Sequence, residues 1–520
     1  MDSQNECCVV NGAIGWRVDN QLLTHKILVL FPTVHQFLQM GQEKEERIRA
    51  FQEKGDVRWY EDEFIGLYLG DKRLGKRLEM ILDSRMQSPQ NSIPNSMATW
   101  AKTKGAYRFF SNNKADPKLI LDSHRCATIK RFNQKQIILA PQDTTDISFK
   151  NGKEIDGLGY INDSKYVKGF FYHPTLAVTV EGTALGILDS QVWARESTVD
   201  GRTNNQKKID RKRTPIEEKE SYRWLRSYQT LCDIQKENES IQFVSICDRE
   251  GDIFELFLEH SKNTNENKPD LLIRARTNRN IADGNTKHLY EELDQVTEFA
   301  EYDIIIPKKK NSPSREATIR LKFKEVSIKP SVDLPLKNHY PNIMLYAISA
   351  SEVNPPKGVA PIHWIILTTI PTLNYEDAFE KIEWYRHRWV IEIFFKTLKS
   401  GCKIEEYQFH SFERLKRVLT IDSIIAWRIL FLRTLGRECP DLPASVLFEE
   451  HEWKALHASI YNTKDVPSDV PSLSVVMRQI AQLGGHLGRK GDGQPGVITL
   501  ARGLYQLYPA AIVWKLLTSG

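Results

Sequence analysis

Apolar positions set the first expectation. In Leu69–Leu82 the residues Leu74, Leu78, Ile81 and Leu82 recur at helical spacing, and Lys72, Arg73, Lys76 and Arg77 lie off that stripe. The pattern predicts helices from Trp59 to about Pro117. The period then shortens. Ile137–Ala140 is a short apolar run ending near Asp143. Leu176–Val180 and Ala184–Leu188 predict two strands joined by a tight turn, and Phe243–Cys247 predicts a buried strand followed at once by Asp248. Glu217–Trp224 reads as a helix start. Residues 271–370 read largely as strands, among them Leu271–Ile273, Tyr302–Ile306 and Trp364–Leu367, with the cluster Lys308–Lys310 at a turn. From about residue 375 the pattern is helical almost to the end. The order predicts an α/β protein: helices, a mixed region with a β-rich insertion, then helices again.

Composition narrows the class. The 520 residues amount to about three or four domains. A hydrophobic fraction of 41% is too high for wholesale disorder, and 28 Gly with 23 Pro are too few for a fibrous chain. The run closest to a membrane span, Ile27–Val34, is broken by Pro32 and falls short of the roughly 18–20 residues required, so no membrane partner is expected. Apart from Cys7 and Cys8 the seven cysteines are scattered, giving neither a disulfide framework nor paired zinc ligands. No signal peptide is read at the start, and a reduced, cytoplasmic setting is expected. Net charge is +5, which permits an acidic partner without requiring one. The basic face at Lys72–Arg77 suits phosphates or simply water, and residues 201–226 are polar and basic. Residues 1–56 read as an extension of unknown role.

Candidate chemistry sits where strands end. Asp143 and Asp248 each follow a buried-type strand, where two carboxylates can share a divalent cation; one alone is usually a turn former or helix cap. Between about Lys381 and Lys399 the spacing predicts one helix. At about 100° per residue, Tyr385, Arg388, Glu392, Lys396 and Lys399 fall within roughly 80° of one another. Trp384, Ile391, Phe395 and Leu398 form an adjoining apolar stripe. Such a face is either a solvent face laced with ion pairs or a carboxylate set among phosphate-binding cations. Three carboxylates on two strands and a helix are what two-metal phosphodiester chemistry needs.

The spacing Tyr385-x2-Arg388-x3-Glu392-x6-Lys399 resembles the signature of the insertion-sequence-four family of bacterial DDE transposases, the family of the transposon-five transposase. Gln142-Asp-Thr-Thr145 and Cys247-Asp-Arg-Glu250 look like its first and second acidic motifs. Leu69-Gly-Asp71, Gly105–Phe109, Asn354–Gly358 and Leu483–Gly485 are similar too, and motif order holds from about Trp59 to the C-terminus.

The resemblance implies a ribonuclease-H-like catalytic domain with a β-rich insertion, flanked by helical domains. Its divisions are expected at 57–117 for a DNA-end-binding domain, 118–439 for the catalytic domain with its insertion at about 260–375, and 440–520 for dimerisation. Asp143, Asp248 and Glu392 would be catalytic and hold two Mg²⁺ ions, with Mn²⁺ as a substitute. Tyr385, Arg388, Lys396 and Lys399 would contact phosphates, with Arg274 beside the site. Trp364 and Trp389 would hold a flipped base; outside the resemblance, a packed core is the reading both favour. Arg77 and Arg108 would read transposon ends, and the Lys308–Lys310 loop would be open to DNA backbone. The implied function is cut-and-paste transposition by a nucleoid-associated homodimer acting on double-stranded inverted-repeat ends and target DNA. A catalytically silent DNA-binding descendant is the alternative, and a plain ribonuclease-H-like nuclease a third reading. Lys104 departs from the transposon-five protein, which has an acidic residue there, and the tail from Tyr508 also diverges.

Overall fold

A computed structural model of the chain describes residues 59–132, 137–149, 155–161, 167–195, 203, 206, 209–210, 213–306, 313–331, 334, 339–489 and 492–518. The extension 1–56, Cys7, Cys8, Ile27–Val34, the Lys308–Lys310 cluster and Arg202, Lys207, Lys208, Arg211 and Lys212 lie outside the described residues.

In chain order the described helices begin with α1 (Trp59–Glu63), α2 (Lys72–Gln87), α3 (Ile93–Met97), α4 (Trp100–Phe110) and α5 (Pro117–Lys130). Strands β1 (Ile137–Pro141), β2 (Thr145–Phe149), β3 (Gly159–Tyr160), β4 (Lys168–Thr179) and β5 (Ala184–Trp193) follow. Next come α6 (Tyr222–Glu237), β6 (Gln242–Cys247), α7 (Phe254–Lys262), β7 (Asp270–Arg274) and the short α8 (Leu289–Asp294). Four strands then run in succession: β8 (Ala300–Ile306), β9 (Arg315–Ile328), β10 (Ile343–Val353) and β11 (His363–Thr368). The rest is helical: α9 (Tyr375–Arg386), α10 (Trp389–Lys396), α11 (Phe412–Glu438), α12 (Glu450–Tyr461), α13 (Leu473–Leu483) and α14 (Val497–Thr518). A strand, an antiparallel hairpin, two strand–helix steps, a β-rich insertion and a closing helix are the chain order of a ribonuclease-H-like fold. Among the described residues no helix is long and apolar enough to cross a membrane.

The chain divides into two compact units. The first takes its described residues from Gln134–Asp143 and Val199–Trp389. Here β1, β6 and β7 run parallel, and β11, β10, β9 and β8 extend the sheet with antiparallel pairs. Parallel neighbours need a crossover, and α7 supplies it between β6 and β7. Trp224 and Tyr228 of α6, Phe254 and Phe257 of α7 and the inward residues Leu271 and Ile273 of β7 share one buried core. Strands β1 and β6 are enclosed along nearly their whole length, and they read as continuous apolar runs rather than alternating ones.

The second unit takes its described residues from Phe31–Asn133, Thr144–Thr198 and Val390–Gly520. Strand β4 pairs antiparallel with β2, β3 and β5. The turn between β4 and β5 falls at Gly182, whose φ of 100° is the left-handed value a side chain disfavours. Helix α11 is buried on nearly every side from Leu415 to Leu435, polar residues included: Ile424, Ile425, Trp427 and Leu430 have no exposed surface, and Arg417 and Asp422 are enclosed with them. The Trp427 indole N–H donates to the Ala184 carbonyl at 2.9 Å. Helix α2 opens on Asp71, whose carboxylate accepts from the Arg73 amide at 2.8 Å, and its predicted stripe is buried throughout.

Glycines set a close helix contact in this unit. A Cβ on Gly503 of α14 would stand 1.8 Å from the Ile480 carbonyl oxygen of α13, and one on Gly484 would stand 1.9 Å from the Thr499 carbonyl oxygen. Gly503→Ala should therefore force backbone apart and cost about 1–3 kcal/mol. Gly75→Ala, in α2 with nothing within 4 Å of the new Cβ, should instead stabilise by about 1 kcal/mol. Chemical denaturation of both variants measures the difference; a harmless Gly503→Ala would contradict the packing.

Candidate active site

The first unit places two carboxylates side by side through strand register. In the parallel β1–β6 pair Ile137 lies opposite Gln242 and Pro141 opposite Ile246. The ladder continues with the Gln142 amide donating to the Ile246 carbonyl at 3.1 Å. Two residues beyond Pro141 and Ile246 come Asp143 and Asp248, each leaving the end of its strand on the same edge. Both are half-buried, whereas Gln142 and Cys247 just before them are fully enclosed. Burial explains the change at this point: an ionised carboxylate in the strand interior would lose its hydration, so it sits where the strands emerge.

Local bonds orient the pair. The Asp248 carboxylate accepts from the Glu250 amide at 2.8 Å and so caps the short turn Arg249–Gly251. Arg388 Nη1 donates to Asp143 Oδ2 at 3.2 Å. Arg223, in the first turn of α6, donates to Glu250 Oε2 at 2.7 Å and is also attracted by Asp248 and Asp143. Burial draws the Arg223 pKa below the usual arginine range while those three carboxylates, with Glu220, oppose the shift. Burial also pushes the Cys247 thiol up, away from the thiolate form.

A small hollow in the same unit is lined by Arg274, Trp364, Tyr385, Arg386, Arg388 and Trp389. Arg274 leaves the end of β7, its guanidinium 5.8 Å from the Trp364 ring centre, and it donates to the His363 carbonyl at 3.2 Å. Trp364, on β11, meets the Tyr385 ring edge to face at 5.4 Å. The Arg388 guanidinium lies 6.0 Å from the Trp389 ring centre. Trp364 and Trp389 are each half-buried, while Tyr385 is 3% exposed. Cations and indole faces thus share one concave surface, the combination that takes a phosphate and a stacked base.

The expected single helix from Lys381 to Lys399 is corrected. Helix α9 ends at Arg386, and the His387 and Arg388 amides close a turn onto the Trp384 and Tyr385 carbonyls at 3.0 Å each. Helix α10 restarts at Trp389 and carries Glu392 and Lys396, then passes into a π turn at Thr397–Gly401 that carries Lys399. The Cys402 amide reaches five residues back to the Thr397 carbonyl at 2.9 Å, and the Thr397 hydroxyl donates to the Ile393 carbonyl at 2.8 Å. Two tightened or widened turns mean that 100° per residue does not hold from Tyr385 to Lys399. Lys396 is exposed and Tyr385 buried. Trp384, Ile391, Phe395 and Leu398 are nonetheless each buried.

In the second unit Lys399 lies 3.6 Å from Asp146 of β2. Glu392 is half-buried on α10, four residues past Arg388. Arg77 is half-buried on α2, off its apolar stripe, and Arg108 is exposed on α4, the helix that also bears the exposed Trp100. Sequence reasoning missed Arg223, Arg386 and Asp146, which no periodicity marks.

A divalent ion needs hard oxygen donors, and the paired aspartates provide them. Among the described residues no group of three or more His, Cys, Asp or Glu side chains is gathered closely enough to hold a metal ion.

Three segments of the chain match known protein families. Residues 56–115 match the transposase DNA-binding family, 259–427 the transposase DDE domain and 424–513 the transposase Tn5 dimerisation domain. The matched DDE segment contains Arg274, Trp364 and Glu392 but begins after both aspartates. A solved structure of a piggyBac transposase synaptic complex with hairpin DNA is similar at 9% identity, covering 76% of this chain and 72% of that chain with a TM-score of 0.36. That likeness is too slight to carry argument. With a DNA-binding, a DDE and a dimerisation segment following one another along its length, the chain belongs to the Tn5-like DDE transposases, DNA-binding, dimer-forming enzymes that cut and transfer DNA strands with divalent metal ions.

Proposed function

We propose that this transposase moves its element by cutting and pasting. Its site is proposed to be formed by Asp143, Asp248 and Glu392, with two Mg²⁺ ions as cofactor and Mn²⁺ as a substitute. The observation that carries the reading is the parallel register that brings Asp143 and Asp248 to one sheet edge beside Arg388. Bound divalent ions supply activation of the attacking oxygen and stabilisation of the leaving oxygen in each in-line displacement at phosphorus.

The chain's own residues are assigned the placing of DNA. Arg274, Tyr385, Arg388, Lys396 and Lys399 are taken to hold phosphates near the scissile bond. The hollow lined by Trp364 and Trp389 is taken to receive a base extruded as the end bends into a hairpin, since an indole face replaces lost stacking. Water first cuts the transferred strand; its 3′-hydroxyl then displaces the opposite strand to form the hairpin. A second water opens the hairpin, and the freed 3′ end attacks target DNA. Residues 57–117, with Arg77 and Arg108, are assigned to the inverted-repeat ends. Residues 118–439, with the insertion at about 260–375, are assigned to catalysis, and 440–520 to the dimer that pairs two ends. The setting is the bacterial cytoplasm, on the nucleoid.

The test is a labelled duplex carrying the inverted repeat found beside the coding region, incubated with protein and Mg²⁺ and resolved on a denaturing gel. Nicks and hairpins at the repeat boundary are expected from the wild type, and none from Glu392→Ala, Asp143→Asn or Asp248→Asn. Specific binding with no cleavage by the wild type would favour a silent DNA-binding descendant and contradict the proposal. Metal-dependent nicking of any DNA, without hairpins, would favour a plain nuclease.

Two further outcomes separate the assigned roles. Trp364→Ala should leave the first nick intact and lower hairpin yield about tenfold, the worth of one lost stacking contact. Arg77→Ala and Arg108→Ala should each flatten the dependence of log affinity on log salt by about one unit, leaving the cleavage rate of bound DNA unchanged. A reduced nick rate in Trp364→Ala, or an unaltered salt slope in both arginine variants, would remove those assignments.

A further inference from the structure

Arg85 is among the most completely enclosed charged residues of the second unit. It occupies the next turn of the apolar stripe of α2, four residues past Ile81, and has no exposed surface. A buried guanidinium is tolerated only when its donors are satisfied. Here every nitrogen of the fork is engaged. Nε donates to Asp422 Oδ1 at 3.1 Å and Nη2 to Asp422 Oδ2 at 3.2 Å, a bidentate pair with helix α11. Nη1 donates to the Asn91 carbonyl at 2.6 Å and the Ser96 hydroxyl at 3.0 Å, holding the loop after α2. Nη2 also donates to the Pro89 carbonyl at 2.6 Å and, at 3.3 Å, to the carbonyl of Cys402.

Cys402 closes the π turn that carries Lys399. Its amide holds Thr397, its thiol donates to the Asp422 carbonyl at 3.7 Å, and its carbonyl is held by Arg85. Tyr407 donates to Asp422 Oδ2 at 2.7 Å and completes the knot. Lys72, Lys76 and Arg77 lie on α2 off its buried stripe. A single guanidinium therefore ties the basic helix of the DNA-binding segment to the turn that fixes Lys399.

We infer that Arg85 is a positioning residue for Lys399: it sets the π turn, and through it the lysine, in register with the helix assigned to DNA ends. The inference rests on the proposed phosphate role of Lys399. Lysine cannot stand in for Arg85, because it offers three donors on one nitrogen and no planar fork.

The experiment is a double-mutant cycle read on end binding and on cleavage of bound DNA, using the labelled inverted-repeat duplex with Mg²⁺. Arg85→Lys should bind the end within about twofold of wild type and cleave it at least about tenfold more slowly. Combined with Lys399→Ala, it should be no more than about twofold slower than Lys399→Ala alone, since a lysine already removed cannot be misplaced. Tyr407→Phe loosens the same knot while leaving the fork, and should show a smaller loss with the same dependence on Lys399. Losses that multiply in the double variant, binding and cleavage falling together, or unfolding of both single variants would reduce Arg85 to a structural role and overturn the inference. Full cleavage by Lys399→Ala would sink the site reading beneath it instead.

Discussion

The parallel pairing of β1 with β6 is the constraint on which the site depends. Register in a sheet is all or nothing, because a slip of one residue turns every side chain to the other face. The two strands are buried along nearly their whole length, and their register sets Ile138 opposite Phe243 and Pro141 opposite Ile246. That register also delivers Asp143 and Asp248 to the same edge, where the strands run out. Hydrophobic burial thereby positions two like charges together, an arrangement that electrostatics alone would oppose. Arg388 and Arg223 offset the repulsion from the chain's own side.

The second unit solves a different problem, holding several helices against α11. Two buried arginines work in opposite directions across this packing. Arg85 reaches from α2 to Asp422, and Arg417 reaches from α11 to the Phe110 and Ala115 carbonyls and to Asn113 beyond α4. Removing either partner of the Arg85–Asp422 pair would leave an uncompensated buried charge, a loss of about 3–5 kcal/mol. His124 adds a neutral joint: its ring bonds Glu63 at 2.8 Å and accepts from the Ile187 amide at 3.0 Å, and burial holds its pKa down at about 3. The helices that carry Arg77 and Arg108 are thus fixed by polar bonds of defined direction as well as by apolar contact.

Much of this was legible in the chain. The stripe of α2, the strands that end in Asp143 and Asp248, the β4–β5 hairpin and the helical close all follow from period and from turn residues. Arg274, Trp364, Tyr385, Arg388 and Trp389 of the hollow were legible as residue types, and Tyr385 and Arg388 belong to the spacing that carried the family resemblance. What escaped was tertiary. The break at His387–Arg388 and the start of the π turn at Thr397 carry no proline or glycine inside the apolar run, and their bonds form only against the folded surroundings. Arg223 and Asp146 approach the site residues from elements distant in sequence. Arg85 did leave a trace: a charge at the next position of an apolar stripe signals a buried ion pair, though not its partner Asp422, 337 residues away.

The proposed sharing of bound metal by Asp143, Asp248 and Glu392 has a direct test. Replacing Mg²⁺ with Fe²⁺ and adding ascorbate and peroxide generates radicals that cut the backbone within a few ångströms of the ion. Three cuts are expected, near residues 143, 248 and 392, all suppressed by excess Mg²⁺. Cuts at the two aspartates with none near Glu392, or none that Mg²⁺ suppresses, would contradict it.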